Sequence, residues 1–207
     1  MGFRLDTAVL VDPKRMINFW SHCMKKTALL TCLLGLLGAL PAAAAELKDV
    51  FGKEVPIGQG RPTLVLYANK STREELRQHA SQFLYDVREK KPIVVIHVDL
   101  RDVPGLFKGM ARGELRKTHN ESLTAMKELF REKGETPPAE LDTSLFMVAD
   151  SKGEPHQSMG LEKGFDRVFA QVLSTSGQEV ARGAFSDGAR KLSQAMTAAP
   201  SVASRSP

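Results

Sequence analysis

Cysteine is nearly absent from this sequence of 207 residues. The chain has two cysteines, Cys23 and Cys32, and both precede Glu46. If the chain is cut before Glu46, as argued below, the remaining residues carry no thiol, no disulfide and no cysteine ligand for a metal. Chemistry that depends on a thiolate is then excluded, and an exported domain of this kind has to be stabilised by its core alone.

Aromatic residues and an excess of either charge are also scarce. Aromatics make up 6% of the sequence. Residues 46–207 contain 24 Lys and Arg against 22 Asp and Glu, so the net charge of +5 for the whole chain falls to +2. No basic stripe with interleaved aromatics is present, which argues against nucleic acid as a partner. Metal-binding histidine pairs and glycine-rich phosphate loops are missing as well, so we expect neither a metal nor a cofactor.

The first 45 residues have the pattern of a secretory signal peptide with an N-terminal extension. Met24 and two lysines precede the apolar run 28–40, which is followed by the small-residue segment 41–45. This order is typical of a leader that is cleaved, here between Ala45 and Glu46. The apolar run is shorter than the about 20 residues that a membrane-spanning helix needs. Lipidation of Cys32 is the alternative, but the apolar run continues past that residue.

Such a leader predicts that the protein is periplasmic or secreted. After cleavage we expect no integral membrane segment, one domain at 46–199 and a short disordered tail at 200–207.

A strand followed at once by a helix dominates the sequence of this domain. Residues 64–68 are five apolar residues in a row, as in a strand that is buried on both faces. Ser71 and Thr72 can each cap a helix, and Glu74 and Glu75 stand three residues after them, which gives two overlapping capping-box patterns. The turn between strand and helix then lies at the carboxyl end of a buried strand, where ligands usually bind in α/β sheets.

The remaining pattern predicts an α/β domain with a mixed sheet. A helix at 72–90 leads to a second buried strand at 93–100, and this βαβ unit is expected to be parallel and right-handed. The sequence further predicts a hairpin at 47–57, a loop at 102–109, a helix at 120–133, a strand at 145–149, a hairpin at 168–184 and a final helix capped by Ser186.

This order resembles the thioredoxin-like fold in its peroxiredoxin and TlpA-type form. The resemblance covers the opening hairpin, the first core strand, the start of the active-site helix, an inserted segment and the closing hairpin. In this sequence they are Phe51–Val55, Pro62–Ala68, Arg73–Leu76, Asp150–Gly153 with Met159–Leu161, and Val168–Val180. It implies a three-layer fold, with a mixed central sheet flanked by helices and an N-terminal β-hairpin extension. Segment 98–105 and the strand 145–150 are also similar to exported proteins called YtfJ-like.

The sequence departs from that family at the two places that matter for chemistry. The family's Cys-x-x-Cys or peroxidatic cysteine belongs between Ala68 and Arg73, where this chain has Asn-Lys-Ser-Thr. The family's cis-proline belongs just before Val168, and residues 164–167 contain no proline. We therefore expect a redox-inactive binding or accessory module of the cell envelope, with a protein or peptide as partner.

The candidate ligand-binding residues are Asn69, Lys70, Ser71, Thr72 and Arg73. Free amides at a helix N-terminus, together with the two cationic side chains, suit an anion such as a carboxylate or a phosphate. The alternative is that Ser71 or Thr72 caps these amides and that the cations are only solvated.

A non-thiol enzyme is the second hypothesis for this turn. Ser71 or Thr72 would act with groups of the loop from Asp99 to Asp102, and a histidine or carboxylate would have to lie within about 3 Å of the hydroxyl. His79 is about 11 Å along the same helix from the turn, at 1.5 Å per residue, and is too far. His97 and Asp99 share one face of the second strand. Two interpretations of them are open: a metal site or acid–base pair, or a simple polar edge.

Overall fold

The computed structural model describes residues 47–198. The predicted signal peptide and tail fall outside the described residues. Within these residues the strands are β1 (Thr63–Ala68), β2 (Ile93–Asp99), β3 (Leu145–Asp150), β4 (Phe169–Leu173) and β5 (Glu179–Ala184), and the α-helices are α1 (Arg73–Asp86), α2 (Lys108–Glu132), α3 (Glu154–Ser158) and α4 (Phe185–Ala198).

The five strands form one mixed sheet in the order β3-β2-β1-β4-β5. β1 pairs in parallel with β2, and β2 with β3, whereas β4 is antiparallel to both β1 and β5. Every residue of β1 is buried, because this strand has a neighbour on each side and side chains packed on both faces. The continuous apolar run of the sequence is therefore explained by its central place in the sheet.

Three helices cover one face of the sheet. Leu64, Leu66 and Ala68 of β1 point to this face and join the larger core cluster. α1 and α2 are the crossover helices of two successive parallel connections, β1 to β2 and β2 to β3. Since the strand order advances in one direction, the right-handed crossovers leave both helices on the same face. α4 completes the layer with the buried side chains Phe185, Leu192 and Met196.

The opposite face is covered by irregular chain and by the short helix α3. Val65 and Tyr67 of β1 point to this side and form a second, smaller core cluster. The cover comes from Leu47, Val55 and Ile57 of the N-terminal segment and from Met159 and Leu161 after α3.

The predicted fold class is confirmed: a mixed central sheet is flanked by helices, as the thioredoxin-like resemblance implied. The opening hairpin is reduced to a single antiparallel bridge between Lys48 and Glu54, around a turn in which Gly52 has a φ of 81°. No helix between residues 47 and 198 combines the length and apolarity needed to cross a membrane.

The boundaries of α2 differ most from the prediction. The sequence predicted a loop at 102–109 and a helix from Asn120, but α2 begins at Lys108. Its first three turns bury little apolar surface and contain Gly109 and Gly113, which lower helix propensity. Leu115 and the buried His119, one turn apart, continue the inward stripe and are the signal that could have extended the helix.

The buried residues of both core clusters lie between Val50 and Met196. We therefore predict that residues 46–207 fold alone and unfold in one cooperative transition.

Phe185→Ala should lower the free energy of unfolding by about 3–5 kcal/mol, because it removes a fully buried ring. The matched control Phe107→Ala removes an exposed ring and should change it by less than about 0.5 kcal/mol. Urea denaturation followed by circular dichroism measures both, and equal losses would contradict this core assignment.

Candidate functional site

The turn between β1 and α1 is organised by the side chain of Asn69. Its Oδ1 accepts hydrogen bonds from the backbone amides of Ser71 (2.9 Å) and Thr72 (3.0 Å) and from the Ser71 hydroxyl (2.7 Å). Thr72 Oγ1 accepts a bond of 2.9 Å from the Asn69 amide in return. The side chain of Asn69 is buried, so these bonds are shielded from water.

This arrangement corrects the predicted helix caps. Thr72 is the residue before the first turn of α1, yet its side chain makes no capping hydrogen bond there, and Ser71 makes none either. Ser71 or Thr72 was expected to accept hydrogen bonds from the free amides at the start of α1. Instead, Asn69 forms an Asx-type turn directly before those amides. Glu75, predicted to close a capping box, uses Oε2 to accept a 2.7 Å bond from the amide of Val168.

The same turn is tied to the segment that precedes β4. Asn69 Nδ2 donates a bond of 2.7 Å to the carbonyl oxygen of Phe165, and Ser71 Oγ donates to it at 3.1 Å. Residues 164–167 are the place where the resemblance puts the family's cis-proline. In this chain, the turn after β1 and the segment before β4 are thus joined directly to each other.

A groove of about 470 Å³ opens on the other side of the turn, between α1 and the start of α2. It lies at the carboxyl ends of β1 and β2, and its volume is within the range of small-ligand sites. Its floor is mostly apolar and is made by Ala68, Leu76, Ile96, Val98, Leu115 and Met147. A smaller cavity of about 230 Å³ shares five of the lining residues, so the groove continues between the two helices.

Three of the five predicted residues line this groove: Asn69, Lys70 and Arg73. Ser71 and Thr72 do not, because their hydroxyls bond to Asn69 and Phe165 on the other side. One side of the turn is therefore occupied by internal hydrogen bonds, and the other side faces the groove.

The charges at the groove are almost all paired. Arg73 lies 3.9 Å from Glu114 across the groove, Lys163 lies 2.8 Å from Asp102, and Arg101 forms an ion pair of 2.7 Å with Asp99. Among the charged groove residues that the structure describes, only Lys70 has no ion-pair partner within 4 Å. The groove thus offers one unpaired cation beside an apolar floor.

His97 and Asp99 do not act as a pair. The Asp99 carboxylate binds the Arg101 side chain through both oxygens and accepts the Arg101 amide at 2.9 Å. Burial alone would raise the pKa of Asp99, but these hydrogen bonds outweigh it and lower the pKa. In residues 47–198, no group of three or more His, Cys, Asp or Glu side chains could hold a metal ion.

A buried histidine cluster on the opposite face of the sheet was not predicted from the sequence. His156 of α3 is 0% exposed, and its Nδ1 lies 2.7 Å from Asp150 Oδ2. Asp150 Oδ1 also accepts the amides of Lys152 and Gly153, so this residue holds both the turn after β3 and the imidazole. Tyr67 stacks on His97, with ring centroids 5.4 Å apart, and meets His156 edge-on at the same distance.

Two imidazole nitrogens of this cluster, His97 Nδ1 and His156 Nε2, are buried without a hydrogen-bond partner. Burial lowers the pKa of His97 to about 4, and nearby His156 lowers it further, against a smaller opposing effect of Asp150. Burial also raises the pKa of Tyr67 to about 12. Because both imidazoles are buried, we assign this cluster a role in the core of the second face.

His97 makes stability depend on pH in a defined window. Between pH 6.5 and about 4 the unfolded imidazole binds a proton that the folded one does not, so stability falls as the pH falls. The loss amounts to about 3 kcal/mol, at 1.36 kcal/mol per pKa unit. His97→Phe keeps a ring beside Tyr67 and should remove this part of the pH dependence. Exposed His79→Asn is the control, and urea titrations at pH 4, 5, 6 and 7 compare them; an unchanged profile in His97→Phe would contradict the assignment.

No family model and no curated protein matches this sequence. Solved structures do resemble it. A cysteine-to-serine mutant of Xanthomonas campestris peroxiredoxin Q is 14% identical with a TM-score of 0.47, over 77% of this chain and 96% of its own. A putative thiol:disulfide interchange protein DsbE from Chlorobium tepidum is 13% identical with a TM-score of 0.44, over 74% and 90%. StoA from Bacillus subtilis is 13% identical with a TM-score of 0.41, over 75% and 98%.

Because these identities and TM-scores are low, we assign the fold from the sheet itself. The central strand β1 has the parallel strands β2 and β3 on one side and the antiparallel hairpin β4–β5 on the other. Helix α1 follows β1 after a short turn. The chain has a thioredoxin-like fold.

Proposed function

We propose that this protein is an exported thioredoxin-like binding module without redox chemistry, which holds a peptide segment in the groove between α1 and α2. The observation that carries the proposal is the unpaired Lys70 at the mouth of an apolar groove of about 470 Å³. A ligand that complements this site has an apolar body with a carboxylate beside it. The described residues contain no cysteine, so the groove has no thiol chemistry of its own.

An extended peptide suits this site better than a small anion does. A phosphate or a free carboxylate would leave the apolar floor uncovered, whereas alternate side chains of an extended peptide point in opposite directions. Apolar side chains can then enter the groove while acidic ones between them reach its rim. Because Arg73 is already paired with Glu114, Lys70 is the main determinant of charge selectivity.

The non-thiol enzyme is not favoured by the geometry of the turn. Its requirement was a histidine or carboxylate within about 3 Å of a turn hydroxyl. Among the described residues, Ser71 Oγ bonds to Asn69 Oδ1 and to the Phe165 carbonyl, and Thr72 Oγ1 bonds to the backbone of Asn69. None of these partners is a general base for a nucleophile.

The test uses two peptides of equal shape. Acetyl-Leu-Asp-Phe-Glu-Leu-amide and its neutral counterpart acetyl-Leu-Asn-Phe-Gln-Leu-amide are titrated into isotopically labelled residues 46–207, and amide shifts are followed by NMR. The acidic peptide should bind about threefold to fivefold more tightly, as expected for one exposed charge pair. Lys70→Ala should abolish this preference while leaving the affinity for the neutral peptide unchanged.

Two further variants locate the site. Ala111→Phe places a ring in the groove and should weaken both peptides equally. The control Lys53→Ala with Arg131→Ala removes one lysine and one arginine that do not line the groove, and the preference should remain. If Lys70→Ala retains the preference, or if the largest shifts lie outside Ala68, Leu76 and Val98, the groove is not the binding site.

A further inference from the structure

The start of α2 exposes large apolar side chains to solvent. Leu106 is 88% exposed, Met110 73% and Phe107 49%. Among residues 47–198 only two other large apolar side chains, Phe51 and Val180, are classed as exposed, and they lie in other segments of the chain. A cluster of this kind on a folded domain indicates an interaction surface.

These side chains lie in the first turn of α2 and in the turn before it. A 3₁₀ turn, Gly105–Phe107, runs directly into α2, so that Leu106 and Met110 are four residues apart on one face. Gly105, Gly109 and Gly113 follow the same four-residue spacing, and a Cβ atom added to any of them would meet nothing within 4 Å. Packing does not require these glycines, although they lower helix stability. They leave the backbone beside Leu106 and Met110 free to approach a flat surface.

The same segment has a net positive charge. Residues 105–117, which we call the 105–117 tip, contain four Lys and Arg and one Glu, a net charge of +3. All described residues together hold 23 Lys and Arg against 21 Asp and Glu, a net charge of only +2. Arg112 and Lys117 are exposed on the tip, where Lys117 Nζ lies 3.8 Å from Glu121 Oε1, and the first turn of α2 contains no acidic residue.

We propose that the 105–117 tip docks the protein on an anionic lipid bilayer. Leu106, Phe107 and Met110 would enter the boundary between headgroups and acyl chains, and Arg112 and Lys117 would lie among the anionic headgroups. An exposed apolar set flanked by cations on a helix is the chemistry of interfacial membrane binding. A bilayer accepts exposed apolar side chains without the matching pocket that a second folded protein would need.

A single tryptophan tests this insertion directly. The one tryptophan of the chain is Trp20, so residues 46–207 contain none, and Phe107→Trp introduces a unique probe. With phosphatidylcholine vesicles that contain about one-third phosphatidylglycerol, the emission of this variant should shift to shorter wavelength. With pure phosphatidylcholine vesicles it should not shift. The control Val180→Trp, at an exposed apolar position on β5, should not respond to either vesicle.

Vesicle co-sedimentation separates the apolar from the electrostatic contribution. Leu106→Glu with Met110→Glu should lower the affinity for anionic vesicles at least about tenfold, because it replaces the inserted side chains by charges. Arg112→Glu with Lys117→Glu should lower it by a similar factor and flatten its dependence on salt. The controls Val180→Glu and Arg190→Glu should keep the parental affinity. Unchanged thermal unfolding establishes that each variant is folded.

Three outcomes would overturn the proposal. Equal binding to neutral and anionic vesicles, or none to either, would exclude recognition of an anionic surface and leave an acidic protein as the partner of the tip. Equal loss in Val180→Glu would show that binding is not located at the tip. If light scattering finds a dimer of residues 46–207 that Leu106→Glu converts to a monomer, a second copy of the chain covers the tip instead. None of these results bears on peptide selectivity at Lys70, which is measured without lipid.

Discussion

The buried carboxamide of Asn69 is the contact on which the arrangement of this protein's candidate site depends. One oxygen accepts three hydrogen bonds within the turn, and the nitrogen donates to Phe165, almost a hundred residues further along the chain. A buried amide that loses such partners costs about 1–3 kcal/mol for each group left unsatisfied. This single side chain therefore sets the shape of the turn after β1 and attaches it to the segment before β4.

The fixed turn decides which surfaces remain for ligands. On the side of Phe165 the backbone and hydroxyl groups are used internally, whereas on the side of α2 the turn presents Lys70 to the apolar groove. The face across the sheet is closed by the Asp150–His156 contact and the rings around it. The two surfaces proposed for interaction, the groove and the exposed Leu106 and Met110, both lie near the start of α2.

The parts of the structure that the sequence predicts best are those with continuous apolar runs. β1, β2 and β3 were recognisable because buried parallel strands need apolar residues on both faces, and the βαβ order followed from them. The start of α2 was missed because its first turns are exposed and contain two glycines. Asn69 was among the predicted ligand-binding residues, but its role as the organising acceptor depends on Phe165 and on burial, which no local pattern reveals. The His156–Asp150 contact was missed for a similar reason, since the two residues look like ordinary turn residues in sequence.

Hydrogen exchange at the amides of Ser71 and Thr72 tests the central claim most directly. If Asn69 holds the turn, both amides are protected in residues 46–207, and Asn69→Ala, compared under conditions where it stays folded, loses that protection while amides in β1 keep theirs. Exchange of these two amides at the rate of an unstructured peptide in the parental protein would contradict the account. So would full protection in Asn69→Ala, because the turn would then be held by other groups.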